Sequence, residues 1–136
     1  MLFRSIVGKL NQLINSAKKD ILLLGSEKDF MKFYHTDFVD SLKETNNNLK
    51  ILMSSNNNSP FIVDELPSKC IKRFEDTLGE NLWFLIKDCE EIFFFIKNNE
   101  NSEMLAVWTD SRTMLNSMKM LFTLIWKKAE SFDNSE

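Results

Sequence analysis

Any chemistry performed by this chain has to start from one histidine, two cysteines and a spaced row of acids. His35 lies in Phe33-Tyr34-His35-Thr36-Asp37, within a stretch whose apolar spacing predicts a helix. General acid–base work needs a partner and a pocket before the imidazole pKa matters, and no second histidine exists to complete an acid–base or metal pair. His35 therefore reads as a surface or partly buried helix residue. Asp37, Asp40 and Glu44 follow on the same helix at spacings that are ordinary for a solvated face. Cys70 and Cys89 lack CxxC spacing and adjoin apolar runs, so they read as reduced thiols and not as a bridge or metal site. With three glycines and two prolines in 136 residues there is no glycine-rich phosphate loop. No cofactor and no metal centre is expected.

The elements that would position any site are easier to read. Leu82 to Ile86 and Ile92 to Ile96 are two apolar runs, rich in aromatic and β-branched residues, separated by Lys87-Asp88-Cys89-Glu90-Glu91. They predict paired strands. Neither run alternates with polar residues, which predicts cover on both faces and a place at the centre of a sheet sandwiched between helices. Leu2 to Lys18 carries one apolar stripe through Phe3, Ile6, Val7, Leu10, Leu13, Ile14 and Ala17. That amphipathic helix could pack on the domain's own sheet, or join an upstream module or a dimer partner. Ile21 to Leu24 predicts a strand, Lys28 to Glu44 one helix and Leu49 to Met53 a second strand, together a parallel crossover unit. Phe61 to Leu66 predicts a short helix stopped by Pro67, and Ser68 to Asp76 favours an edge strand over a helical turn. Met104 to Trp108 predicts a further strand. The last helix is expected over Arg112 to Ser131, with a core stripe of Met114, Met118, Leu121, Phe122, Ile125 and Ala129 and with Met120, Leu124 and Trp126 on its flanks.

This order of elements resembles a single phospholipase-D-like repeat, and more closely the regulatory domain of archaeal TrmB-type transcription regulators and the input domains of archaeal sensor histidine kinases. The residues that carry the resemblance are Asp20 to Phe30 (DILLLGSEKDF), Leu49 to Ser55 (LKILMSS), the 82–96 hairpin and Val107 to Ala129 (VWTDSRTMLNSMKMLFTLIWKKA). It implies an α/β fold with a mixed sheet of about six strands and helices on both faces. The expected organisation is an amphipathic connector or dimer helix over 1–19, a regulatory domain over 20–132 and a disordered tail over 133–136. Catalytic members of that fold carry HxKxxxxD. Laying the motif on Asp88 puts its nucleophile position on Asn81 and its cation position on Trp83. An amide is not nucleophilic toward phosphorus and an indole carries no charge, so the resemblance implies a domain that is not an enzyme.

The functional expectation is a non-catalytic sensory or regulatory domain that relays a ligand or partner to an output module. The alternatives are a diverged phosphodiesterase or nuclease and a purely structural dimerisation domain. Candidate ligand contacts are the polar groups where parallel strands are expected to end, Gly25, Ser26, Ser54, Ser55, Thr109, Asp110 and Ser111. Ser26, Asp110 and Ser111 read more readily as helix caps than as ligand contacts. Apolar residues left over on the last helix predict a homodimer. A net charge of −3 with scattered Lys and Arg predicts no direct nucleic-acid contact, and no apolar run approaches the ~20 residues of a membrane span, so a cytoplasmic protein is expected.

Overall fold

The fold is built on a buried strand that pairs on both sides. In this computed structural model, which describes residues 3–45, 48–55, 64–75, 83–97 and 104–131, helix α1 (Phe3–Ser16) leads into β1 (Asp20–Ser26). Ile21 to Gly25 are all buried, so β1 has no solvated face. Helices α2 (Glu27–Lys32) and α3 (Asp37–Glu44) connect β1 to β2 (Asn48–Ser54), which runs parallel to it. A 3₁₀ turn (Ser68–Cys70) precedes β3 (Ile71–Phe74), parallel to β2. The hairpin β4 (Trp83–Lys87) and β5 (Glu91–Lys97), then β6 (Met104–Thr109), continue the sheet antiparallel on the other side of β1. Helix α4 (Arg112–Lys128) is followed by the two-residue strand β7 (Glu130–Ser131). The sheet order is β6-β5-β4-β1-β2-β3-β7, seven strands where about six were expected, and β1 holds the middle position.

Strand periodicity divides the core into two layers. Ile21, Leu23, Ile51, Met53, Trp83, Leu85, Phe93 and Phe95 face α1, α2 and α3, and meet Ile6, Leu10, Leu13 and Ile14 of α1. Leu22, Leu24, Leu52, Phe84, Ile86 and Ile92 face α4 and meet Leu115 and Phe122. The stripe of α1 is thus spent on the domain's own sheet.

Several expectations are corrected. The single helix over Lys28 to Glu44 is two helices, broken at Phe33 to Thr36. In one continuous helix Phe33 and Phe38 would point about 140° apart at 100° per residue. The break, closed by Thr36 N–H to the Phe33 carbonyl (3.0 Å) and capped by Phe38 N–H to Thr36 Oγ1 (3.2 Å), lets both rings enter one aromatic core. The strand expected over 68–76 is a 3₁₀ turn followed by only four strand residues, and β7 rather than β3 is the edge. The last helix ends at Lys128, because Glu130 and Ser131 pair with Arg73 and Lys72. On it Leu121 is 42% exposed, whereas Leu115, absent from the expected stripe, is buried. The turn at 79–81, the first part of the short helix from 61, the loop at 98–103 and the tail 132–136 lie outside the described residues. Among the described residues no helix is long and apolar enough to cross a membrane.

Leu85 is fully buried at the centre of the sheet, whereas Phe94 on β5 is only half-buried and packs against the layer under α4. Leu85→Ala is expected to cost about 2–5 kcal/mol in urea denaturation. Phe94→Ala should cost less than Leu85→Ala, and the reverse order would place the helical cover wrongly.

Candidate functional site

The hairpin tip that carries Asp88 is structural. In the three-residue connection between Lys87 and Glu91, Asp88 and Cys89 have φ of 54° and 58°, as the central residues of an I′-type turn require, and Glu90 N–H closes that turn on the Lys87 carbonyl at 2.9 Å. The Asp88 carboxylate accepts the backbone N–H of Lys18 (2.9 Å to Oδ2), Lys19 (2.7 Å to Oδ1) and Asp20 (3.0 Å to Oδ1). Asp88 N–H in turn donates to the Asp20 carbonyl at 2.8 Å. Burial works against the charge, but these three donors and the neighbouring Lys87 outweigh it and hold the carboxyl below its ordinary range. Asp88 is fully engaged with the main chain at the α1–β1 junction.

Trp83, at the cation position of the motif, is 1% exposed. Its indole stacks on Phe95 of the neighbouring strand (4.8 Å, 14°) and contacts Phe30, Phe33 and Phe38 at 5.5 to 5.9 Å. A Cβ added to Gly25 would lie 2.3 Å from Trp83 Cδ1. Gly25 is therefore explained by the close approach of an indole and not by a ligand. Trp83 Nε1 is buried without an acceptor among the described residues. Asn81, the nucleophile position, lies outside them. Trp83 is thus the centre of an aromatic core.

The seven candidate contacts do not form one site. Gly25 and Ser26 end β1 beside Met53 and Ser54 of β2, with Ser55 following. Thr109 pairs with Ile92 at the start of β5, and β6 runs opposite to β1, so Thr109, Asp110 and Ser111 sit at the other end of the sheet. Ser26 caps α2, accepting from Asp29 N–H (3.2 Å) and donating to Asp29 Oδ2 (3.1 Å). Ser55 donates to the Glu27 carboxylate, and Ser54 is buried. Ser111 caps α4 by accepting from Met114 N–H (3.4 Å), and Thr109 Oγ1 accepts from Ser111 N–H (3.0 Å). Asp110 is exposed.

The other reactive side chains are dispersed. His35 is exposed in the turn between α2 and α3, its ring edge-on to Tyr34 at 5.2 Å. Asp37, Asp40 and Glu44 are exposed on α3. Cys70 and Cys89 are both free and half-buried, on β3's lead-in and the hairpin tip. Among the described residues no group of three His, Cys, Asp or Glu side chains could hold a metal ion. What the sequence did not disclose is a cleft of about 710 Å³ under α4, lined by Asp20, Asn48, Lys50, Lys69, Lys119 and Trp126 among others. Its lysines come from three distant stretches, so no local pattern announces it. Lys119 is held above its ordinary range by Cys89 beside it and, against burial, by Asp20.

A seven-stranded mixed sheet with helices on both faces and this strand order is a phospholipase-D-like fold, shared with a TrmB-type protein. The chain superposes on TrmBL2, an archaeal chromatin protein whose structure shows a novel mode of DNA binding, with TM-score 0.60 and 23% identity over 92% of this chain and 50% of that one. It matches Nuc from Salmonella typhimurium, a phospholipase D family member, with TM-score 0.69 and 16% identity over 96% and 91% of the two chains. NucT from Helicobacter pylori gives 0.62 and 16% over 95% and 92%. The chain thus spans about half the length of TrmBL2. No family model and no curated protein matches the sequence.

Two outcomes follow from the hairpin geometry. Asp88→Ala removes the acceptor of three main-chain donors and should cost about 1.5–3 kcal/mol, the range for hydrogen bonds to a charged group. Because the folded pKa is lowered, that stability is present above the ordinary aspartate value of about 3.9 and is lost as pH falls through the folded value. Denaturation midpoints should therefore fall on acidification in that window for the native chain and stay flatter for Asp88→Asn. Gly25→Ala should destabilise by about 1–3 kcal/mol through overpacking, and less in a Trp83→Leu background, which a double-mutant cycle measures.

Proposed function

We propose that this chain is a non-catalytic regulatory domain of phospholipase-D-like fold, which binds a small ligand or partner and relays it to an attached output module of archaeal regulatory type. The single observation that carries this reading is Trp83, buried and stacked where the motif needs a lysine. A phosphoryl-transfer site must gather positive charge around a phosphate. An indole enclosed by four phenylalanines offers none, and a cation there would be desolvated without a partner. That TrmBL2 is about twice as long as the matched segment supports a place within a larger regulator. The proposal includes a cytoplasmic location and no direct nucleic-acid contact by this segment.

The assembly proposed is a homodimer. Met120, Leu121 and Leu124 on α4 and Ile96 and Leu105 on β5 and β6 are 42 to 64% exposed, and β6 is an edge strand. Ile96 and Leu105 face each other across the ladder on the side of the sheet that α4 covers elsewhere. An apolar patch beside an open strand edge is what a two-fold interface would cover.

The purified chain is expected to show no turnover of bis-p-nitrophenyl phosphate or nucleic acid above a buffer blank. Turnover lost on His35→Ala would overturn the non-catalytic reading in favour of a diverged phosphodiesterase. In sedimentation equilibrium the mass should approach twice 16.0 kDa, and Leu105→Glu with Leu124→Glu should return it to the monomer value. A native mass that stays at 16.0 kDa at high concentration removes the dimer.

A further inference from the structure

The cleft under α4 has a chemistry that neither the motif positions nor the strand-end residues use. It opens where β1 and β2 begin, with Asp20 and Asn48 in register on its floor. Lys50 comes from β2, Lys69 from the turn before β3, and Lys119 from α4. Three lysines thus share one space with one carboxylate, in a chain that holds 20 acids against 17 bases. Among the described residues none of the three has a carboxylate within ion-pair distance. Asp20 Oδ1 is buried and receives no hydrogen bond from any described residue, a costly state for a carboxylate oxygen unless a donor arrives from the cleft. Leu22 and Phe122 add apolar wall.

Trp126 restricts the ligand further. Its ring is stacked on Phe122 (5.9 Å, 14°) and carries the ammonium groups of Lys50 and Lys72 over it at 5.3 and 4.5 Å. The π-surface a nucleobase would need is already engaged. The volume is in the range of small-molecule sites.

We propose that this cleft binds a small, non-aromatic phosphate ester carrying a free hydroxyl or amino group. The phosphate lies among Lys50, Lys69 and Lys119, and the hydroxyl or amino group donates to Asp20 Oδ1. This rests on the regulatory reading, for which it supplies the ligand class. Because Lys119, Phe122, Thr123 and Trp126 belong to α4 while Lys50 and Lys69 do not, the ligand bridges α4 to the β2–β3 side of the sheet.

The test is calorimetric titration of the whole chain at fixed ionic strength with glycerol 3-phosphate, inorganic phosphate and glycerol. Glycerol 3-phosphate should bind at least tenfold more tightly than inorganic phosphate, and glycerol should not bind. Lys69→Glu with Lys119→Glu, both at exposed positions, should weaken the ester at least tenfold while the chain still unfolds cooperatively. As a second readout, alkylation of Cys70, which lines the cleft, should slow on adding the ester but not on adding equivalent chloride. Absence of saturable binding, equal affinity for ester and inorganic phosphate, or indifference to the charge reversals would overturn the proposal, as would duplex DNA displacing the ester from the same lysines. Any of these with no phosphodiester turnover would leave the regulatory reading standing, whereas turnover would remove that reading whatever the cleft binds.

Discussion

The rest of the fold depends on one carboxylate. Asp88 joins the tip of the β4–β5 hairpin to the α1–β1 junction through three main-chain N–H groups, and its own N–H returns a bond to the Asp20 carbonyl. The bond network fixes the antiparallel register of β4 against β1, in which Leu23 faces Leu85 and Leu24 faces Phe84. Register matters because both faces of these strands are buried and differ in content. A slip by one residue would send Trp83 and Leu85 into the α4 layer and Phe84 and Ile86 into the aromatic layer. The left-handed backbone at two non-glycine residues costs roughly 1–2 kcal/mol each. Charge-assisted bonds of about 1.5–3 kcal/mol offset it, so the turn is held from outside itself.

With register fixed, Trp83 becomes the centre of the aromatic layer. The indole fills the space beneath Gly25 and organises Phe30, Phe33, Phe38 and Phe95 around it. The break between α2 and α3 exists to bring Phe38 into that group. Trp83 is the largest fully buried side chain among the described residues, and its indole N–H finds no acceptor among them.

Much of the fold was legible because unbroken apolar runs such as Trp83 to Ile86 announce burial on both faces, and because the stripe of α1 has unambiguous helical spacing. Other features were hidden for physical reasons. Thr36 sits inside an apolar pattern that continues with helical period, so the cap it forms could not outvote the periodicity. Leu115 was missed because Met114, one residue before it, starts an equally regular apolar spacing through Met118, Phe122, Ile125 and Ala129, all of which pack on this layer. The candidate contacts were split because strand ends can be found in sequence but strand direction cannot. Thr109 to Ser111 end a strand that points the opposite way to β1. The lysine cleft gave no local signal at all, since positions 50, 69 and 119 meet only after β1, β2, β3 and α4 are assembled.

α4 is the element through which a signal could travel. It buries only Leu115 and Phe122 fully, while α1 buries Ile6, Leu10, Leu13 and Ile14, so it is the more lightly held of the two long helices. Its inner surface lines the lysine cleft through Lys119, Phe122, Thr123 and Trp126, and its outer surface carries the exposed Met120, Leu121 and Leu124. A ligand shifts an equilibrium only by its differential affinity for two states. Under the proposed function, a phosphate ester that touches both α4 and the β2–β3 side of the sheet discriminates between positions of that helix, and a dimer partner resting on the outer surface of α4 discriminates between the same positions. Both would then bias one element from opposite sides, which is the physical requirement for coupling ligand to assembly.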